Sequence, residues 1–595
     1  MTLFRAEWGR LALPAVLVAL VHLGALMFLS RMLDLGQLTL AAHWSFAAVY
    51  ALTGALLGIG QFHGYARPNT WLSLIHRPQA PLAIARALLG AGLLGLLLMI
   101  ALPLVLTAMW QSQLTARVVD LRHWMLALAG WQIAACAYFG GVYAALSRRV
   151  LAATGLVLLF WLINARASGA QALGLQAVAL LWAGWMVLAG FRANRDEAPP
   201  ARHLTAIALP LAMGLYLAGL VAFAIVEVGW IAWGTHPNNS EPPPAGHHAM
   251  EKATASERMR AALASSAHPD AALLAEQVAL SEPVSPRVQF SRLPQPQELS
   301  NVMPMEFDDD PRGLRYVYSH DDARLHALQI RDGKPAEGLA LRFPAPPLAL
   351  GRLPGMQAGD RLLLAFGSAY QYQSETRSLS LRLQLPPGEP VLGLAPVGES
   401  LAVLSHLALY IYDSRPFLAH RDPVQPRARL AIQGRLGDLS HLDLIELLDG
   451  YLVVATYAAR AHLPEGTPPF QTAEILRSDG RVELVARRAL AHDFGWLYRY
   501  QSLWLSPPLY ALREAAQAWP GPPLALDATT PGAVPRPVWW LAGLLHLLAL
   551  ALAWWRWRRA SGVSRLGWVA AAGVGGLPML AALWLIEPSR RSPRA

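Results

Sequence analysis

The sequence predicts a polytopic α-helical membrane protein with a large inserted all-β, propeller-like extracytoplasmic domain. Three observations predict it. Nine apolar stretches occupy the two ends of the 595-residue chain, and roughly three hundred mostly polar residues lie between the seventh and the eighth. Mean hydropathy is +0.32 although nearly half the chain is polar, so the end blocks are strongly apolar. In the middle block the apolar period changes from that of a helix to two, the period of a half-buried strand.

The first seven stretches are Leu11–Leu29, Trp44–Gly60, Leu82–Met109, Trp124–Leu146, Val150–Ile163, Ala172–Leu188 and Leu204–Trp233; Val538–Trp554 and Leu566–Ile586 close the chain. A bilayer core of about 30 Å takes about 20 apolar residues per helix, a length most of these approach or exceed. Val150–Ile163 is the shortest. The first run is full length and is followed by Arg31 with no small-residue cleavage site, so it reads as a span and not as a cleavable signal peptide. The expected organisation is a transmembrane domain over 1–234, a linker with a helical segment over 235–299, a β-rich domain over 300–535 and a transmembrane hairpin over 536–595.

Arginines set the orientation. With the N-terminus in the cytoplasm, inside segments hold fourteen: Arg5, Arg10, Arg67, Arg77, Arg86, Arg148, Arg149, Arg192, Arg195, Arg202, Arg556, Arg558, Arg559 and Arg565. The short outside loops hold four, Arg31, Arg117, Arg122 and Arg166. Positive charge is retained inside, so this orientation is expected, and seven spans then place the large domain outside. The C-terminal Arg590, Arg591 and Arg594 fall outside and pull the other way. The net charge of +10 belongs to these membrane borders, so a nucleic-acid partner is not expected. A bacterial inner membrane is the expected location.

Thr235–Pro244 is rich in Pro and Asn and reads as a linker. Residues 249–280 read as helical, with Met250, Met259, Ala262, Leu263, Leu273, Leu274 and Val278 at helix spacing. Ser380–Leu385 alternates as a strand does, and Ile475–Leu484 reads as a hairpin around Asp479-Gly480. A loose repeat of glycine, strand, polar break and strand starts at Gly313, Gly359, Gly398, Gly450 and Gly495. Spacings of roughly 40–50 residues with several strands per unit are those of propeller blades. An irregular β-sandwich with hairpins of similar length is the competing reading.

Chemistry-bearing motifs are sparse. The lysines are Lys252 and Lys334, and neither stands in a Gly-Lys-Ser/Thr context, which excludes a P-loop ATPase within the chain. The lone Cys136 lies in the fourth stretch, so no intrachain disulfide is possible. His247-His248 reads as a solvated linker pair, and Asp308-Asp309-Asp310 and Asp321-Asp322 read as acidic turns, so no metal or other cofactor is expected. Ser319-His320-Asp321 and Ser405-His406 lack a nucleophile elbow, and no catalytic residue is assigned. Within the spans His22, Gln132, Glu227 and His546 are the polar residues that could line a transport path.

Between the second and third spans runs Gln61-Phe62-His63-Gly64-Tyr65-Ala66-Arg67-Pro68-Asn69-Thr70, then Trp71-Leu72-Ser73-Leu74-Ile75-His76-Arg77-Pro78. Asn69 or Thr70 can cap a short helix, and Trp71, Leu72, Leu74 and Ile75 give it an apolar side. This segment resembles the link after the second span in permease subunits of type-2 ABC exporters, and Leu3–Trp8 resembles that family's interfacial N-terminal helix. The resemblance covers about Met1–Trp110. It implies that Trp71, Leu72, Leu74, Ile75, His76, Arg77 and Pro78 couple the membrane domain to a separate ATP-binding subunit. Trp71 is the expected anchor and Arg77 the expected contact to an acidic surface. The chain departs from the family's six-span pattern, with seven stretches before the insertion and two after it.

The expected function is therefore the membrane subunit of an ABC-type export system, with an outer domain that binds substrate or a periplasmic partner. The alternative is a membrane-anchored propeller that binds or senses without transport. A membrane enzyme ranks last because no catalytic constellation supports it.

Overall fold

A computed structural model gives the fold and describes residues 2–32, 34–65, 67–147, 169–192, 201–237, 239, 246–289, 293–301, 303–350, 353, 355–419, 423–518, 529–558 and 562–586. In chain order the N-terminal helices are α1 (Thr2–Leu29), α2 (Leu40–His63), the short α3 (Pro68–Ile75) and α4 (Pro81–Leu114). They continue with α5 (Leu121–Leu146), α6 (Gly169–Gly190) and α7 (Ala201–Ala232). Three short helices follow: α8 (His247–Lys252), α9 (Ala255–Leu263) and α10 (Ala271–Leu280).

Among the described residues eight helices are long and apolar enough to cross a membrane, two of them at the C-terminal end. They correspond to eight of the nine stretches read from the sequence. Val150–Ile163 lies outside the described residues, as does most of the linker at 238 and 240–245. Large apolar side chains stand exposed along the bundle surface, Leu13 and Val21 on α1 among them. A soluble monomer rarely leaves so wide an apolar surface to water, whereas lipid covers it without cost.

The tightest helix pair is α2 against α5, and it runs parallel. Gly54 and Gly58 form a small-xxx-small pair on α2. A Cβ at Gly54 would stand 2.0 Å from the carbonyl oxygen of Ala134, and one at Gly58 2.3 Å from that of Tyr138. Gly141 reciprocates, its missing Cβ facing Ala55 O at 2.2 Å. Backbones this close exclude any side chain, so the glycines set the pair's separation. In α4, a π-helical turn at Leu97–Ala101 precedes Pro103. Pro103 has no N–H for the carbonyl of Met99, four residues earlier. His22 supplies the donor instead, through Nδ1 at 2.8 Å.

Among its described residues the β region holds sixteen strands in four antiparallel sheets, each a four-stranded meander in chain order. Sheet 1 is β1 (Glu306–Asp309), β2 (Leu314–Ser319), β3 (Arg324–Gln329) and β4 (Pro335–Arg342). Sheet 2 is β5 (Leu348–Leu350), β6 (Arg361–Ala365), β7 (Ser368–Gln373) and β8 (Ser378–Gln384). Sheet 3 is β9 (Gly393–Val397), β10 (Ser400–Leu404), β11 (Ala408–Asp413) and, after the short α11 (Ser414–Ala419), β12 (Ala428–Ala431). Sheet 4 is β13 (Leu439–Leu447), β14 (Gly450–Tyr457), β15 (Phe470–Arg477) and β16 (Val482–Ala489).

Four of the five repeat glycines fall at the same place. Gly313, Gly359, Gly398 and Gly450 each sit in the turn that leads into the second strand of a sheet, with φ of 64°, 88°, 55° and 129°. That backbone conformation is open to glycine and strained for other residues. The fifth expectation is overturned: Gly495 leads into helices α12 (Trp496–Arg499) and α13 (Gln501–Leu505), followed by α14 (Pro507–Ala518). Tyr500, Leu503 and Trp504 recur at helix spacing and pack on Val538 and Ala542 of α15 (Arg536–Trp557), which outweighs the strand-like local pattern. Helix α16 (Gly562–Ile586) completes the C-terminal hairpin and bends at Gly576-Leu577-Pro578, where Gly576 has a left-handed φ of 67°.

The sheets stack in sequence. One apolar core joins sheets 1 and 2, another sheets 2 and 3, a third sheets 3 and 4. Among the described residues no such core joins sheet 4 to sheet 1. Instead α9 and α10 cover the far face of sheet 4, with Met259, Leu263, Leu274 and Val278 on Ile445, Val454 and Ile475. Each buried aliphatic side chain there contributes about 1.5–3 kcal/mol. Arg258 forks onto the buried Asp443 through two bonds of 2.7 Å, which fixes α9 in register on the sheet.

Candidate functional site

Two buried polar clusters lie at opposite ends of the α2–α5 pair. One adjoins α3 and the other adjoins the β region. Since α2 rises about 1.5 Å per residue, its 24 residues hold the clusters about 36 Å apart.

The α3 end is built from the sequence upward. Pro68 at the first helical turn starts α3, and His-Arg-Pro stops it. Trp71 and Leu74 lie on one face and are buried, Trp71 at 1% exposure. Trp71 donates from Nε1 to Arg192 O at 2.7 Å and packs on Phe191, which in turn packs on Phe62. The expectation that Trp71 waits to anchor a partner is thereby corrected: its indole is spent on seating α3 against the bundle. Leu74 shares that inward face, and Ile75 is half-buried. Leu72, His76, Arg77 and Pro78 form the exposed side.

Beneath α3 sits Glu7, which is 2% exposed. Its carboxylate accepts from Tyr65, from Arg10 at 2.9 Å and from Gln61 at 3.5 Å. Gln61 also donates to Leu88 O at 2.9 Å and accepts from Tyr138 at 2.7 Å. The cluster ties α1, α2, α4 and α5 together. A buried carboxylate costs several kcal/mol unless its oxygens are met, and here they are. Sequence reasoning passed over Glu7 and Gln61. A lone acid in a long, mostly apolar helix was the available signal.

The other end is the junction with the β region. Asp120 precedes α5 and its carboxylate reaches across to sheet 1, accepting from Ser319 Oγ at 2.7 Å and His320 N at 3.0 Å. Asp321 returns the contact by accepting from Leu121 N at 3.1 Å. Arg122 donates to Asn301 Oδ1 at 2.8 Å, and Gln297 accepts from Arg122 N at 3.2 Å. Asn301 N donates to Leu38 O at 2.8 Å and Gly169 N to Gln297 O at 2.8 Å, so the starts of α2 and α6 are held as well. His123 accepts from Asp120 N at 3.0 Å and lies 3.4 Å from Asp34.

The electrostatics follow from burial. The Asp34 carboxyl is opposed by its own burial, yet the His123 bond, the Gly36 N–H and Arg117 hold it below the ordinary range. The His320 imidazole is pushed down to about 3, first by burial and then by Arg122 and His123. It is therefore neutral at pH 7. Its Nδ1 accepts from Gln297 N at 3.0 Å, which places the proton on Nε2. In Ser319-His320-Asp321 the serine hydroxyl donates to Asp120. Asp120 had a legible signal, an acid immediately before an apolar helical run.

The four polar residues expected along a transport path make no hydrogen bond or ion pair to one another. His22 donates to Met99 O, accepts from Tyr50 at 3.2 Å and latches α1 to α2 and α4. His546 donates to Gly573 O at 2.6 Å within the C-terminal hairpin. Glu227, near the C-terminal end of α7, lies 3.4 Å from His236. Gln132 is in the interior, and its Oε1 has no hydrogen-bond partner. Met125 against Gly169 and Phe139 against Gly184 set it level with Gln176 on α6, which is buried with both amide atoms unpartnered.

His247 and His248 also depart from expectation. They are buried, and with His236 and His462 they surround Phe494 at ring distances of 5.4–6.4 Å, while His492 packs on His247 at 6.1 Å. Burial, Arg499 and His247 push His492 down to about 4. Among the described residues no group of three His, Cys, Asp or Glu side chains is arranged to hold a metal ion.

Comparison with protein-family models, curated proteins and solved structures returns no match.

Proposed function

We propose that this chain is the membrane subunit of an ABC-type export system, energised by a separate ATP-binding subunit that docks on the exposed side of α3. The observation that carries the reading is the placement of α3. It is an amphipathic helix seated on the bundle by Trp71 and Leu74, at the end away from the β region, with Leu72, His76, Arg77 and Pro78 left outward. An outward side of one leucine, one arginine and a helix-ending proline suits a shallow protein groove. In this reading the α3 end is cytoplasmic, in keeping with Arg5, Arg10, Arg67, Arg77 and Arg86. The β region is then extracytoplasmic and binds substrate or a partner. Its four meanders, each with a left-handed glycine before the second strand, support a blade-type repeat.

The same reading gives the α2–α5 pair a task. Docking on α3 moves Tyr65 and Gln61 with Glu7, and the glycine-locked pair carries that displacement to Asp120 and the β2–β3 hairpin. The test is co-purification. Leu72→Glu with Arg77→Glu leaves the seat of α3 untouched and is expected to abolish association with an ATP-binding subunit. Trp71→Ala is expected to loosen α3 itself. A double variant that retains the ATPase would return the segment to an ordinary interfacial helix. The chain would then be read as a membrane-anchored binding or sensing module.

A further inference from the structure

A roomy groove in the stack of sheets has unusual walls. It lies between sheets 1 and 2 beside the 293–296 segment, with a volume of about 350 Å³. That is the lower end of the range for small-molecule sites. Leu364 and Tyr318 are deeply buried at its floor, while four prolines, at 294, 296, 344 and 346, line its sides. Among the described residues no charged side chain lines it. His320 also lines it and, with its imidazole pushed down to about 3, adds no charge at pH 7.

Backbone strain gathers at this groove. Four described non-glycine residues have positive φ, and two of them, Ala323 at 55° and Phe366 at 50°, line it. A third, Gln297 at 56°, is bonded to His320. Phe366 is the telling one. It occupies the first position of the two-residue turn between β6 and β7, a left-handed position that hairpins normally give to glycine. Glycine stands next to it instead, where a Cβ at Gly367 would lie 2.5 Å from Glu389 O. The ring of Phe366 is half exposed at the groove, so core packing does not account for keeping a strained phenylalanine there. Strain of this kind is retained where the surrounding structure enforces it, and it concentrates at ligand-binding positions.

We propose that this groove binds an uncharged aromatic compound of one or two rings. An ion would be desolvated there with no countercharge from the described lining residues. A flat ring meets proline faces on its sides and the rings of Phe366 and Tyr318 at its edges, contacts that favour aromatic over aliphatic ligands. The volume limits the ligand to about two fused rings. The site deepens the reading of the β region as a binding domain and rests on the groove alone. Retention of the ATPase by the α3 variants, which overturns the export reading, would leave it standing.

The test uses full-length protein in detergent, with empty micelles as the blank and indole as the probe. Saturable indole binding is expected, with indole-3-acetate at least tenfold weaker. Phe366→Gly removes the ring and relieves the turn, so it is expected to raise the unfolding midpoint while weakening indole at least tenfold. Ala345→Trp, which fills the groove, is expected to abolish binding without lowering the midpoint. No saturable binding above the micelle blank, equal affinity for indole-3-acetate, or wild-type affinity in Phe366→Gly would each overturn the proposal.

Discussion

Replacing Asp120 with alanine tests whether the helical bundle and the β region are held together by one cooperative junction. The carboxylate is 1% exposed and accepts from Ser319 Oγ at 2.7 Å and His320 N at 3.0 Å. Arg122 Nε lies 3.6 Å away. Hydrogen bonds to a charged group are worth about 1.5–3 kcal/mol each, so the two bonds alone come to about 3–6 kcal/mol. Arg122 keeps Asn301 as a partner, which limits the penalty for its lost countercharge. A cost of about 3–5 kcal/mol is therefore expected, as when one partner of a buried pair is removed. Because the damage is confined to the junction, the readout is hydrogen exchange of the His320 amide. Its local opening should become on the order of a hundredfold or more easier, since each 1.4 kcal/mol is a factor of ten.

Ser319→Ala removes one of the same bonds and should cost about 1.5 kcal/mol by itself. In the double variant that bond is already gone, so the costs should fall short of additivity by about 1.5 kcal/mol. Independent sites add to within about 0.5 kcal/mol. Additivity within that margin would refute the shared carboxylate as the element that joins the two parts.

Three further outcomes are expected. His320 is held neutral, with its folded pKa near 3 against an ordinary 6.5. Below pH 6.5 the unfolded chain takes up a proton that the folded chain refuses. Junction stability should therefore fall on acidification between pH 6.5 and 3, by at most about 1.4 kcal/mol per pH unit, and stay level above that window. Thermal unfolding of wild type against His320→Gln across that range checks it, the variant having the flatter slope. Gly54→Leu or Gly58→Leu should prevent the α2–α5 contact and collapse the yield of folded protein, whereas Gly60→Ala, with nothing within 4 Å of the added methyl group, should be neutral by size-exclusion profile and unfolding midpoint. The Leu72→Glu, Arg77→Glu variant should lose a co-purifying ATPase while keeping the wild-type midpoint, and a lowered midpoint would mean that this face, too, is internal.

Much of this fold was legible because its signals are one-dimensional. Apolar length marked eight of the helices, period two marked the strands, and positive-φ glycines marked the second strand of every sheet. The misread glycine, Gly495, precedes residues whose helix is decided by the side of α15 that Tyr500, Leu503 and Trp504 meet. Sequence carries no trace of that partner. His247 and His248 failed for the same reason. A His pair in a polar segment reads as solvated, and only the arrival of Phe494 and Asp493 from nearly 250 residues away buries it.

The α3 segment shows where the limit lies. Its two-sidedness was plain, but an apolar stripe at helical spacing says only that a helix has two faces. It does not say which one a partner meets. A tryptophan in a short interfacial helix suits an exposed anchor and an internal wedge equally well, and the difference here is made by Phe191 and the carbonyl of Arg192, just past the end of α6. The residues that then define the outward side, Leu72, His76, Arg77 and Pro78, are the less conspicuous ones. At the other end of the bundle the same logic applies to Asp120. Read alone it is one more helix cap. Placed against Ser319 and His320 it is the carboxylate through which a helix start and a strand hairpin hold each other, and only its long-range partners distinguish the two roles.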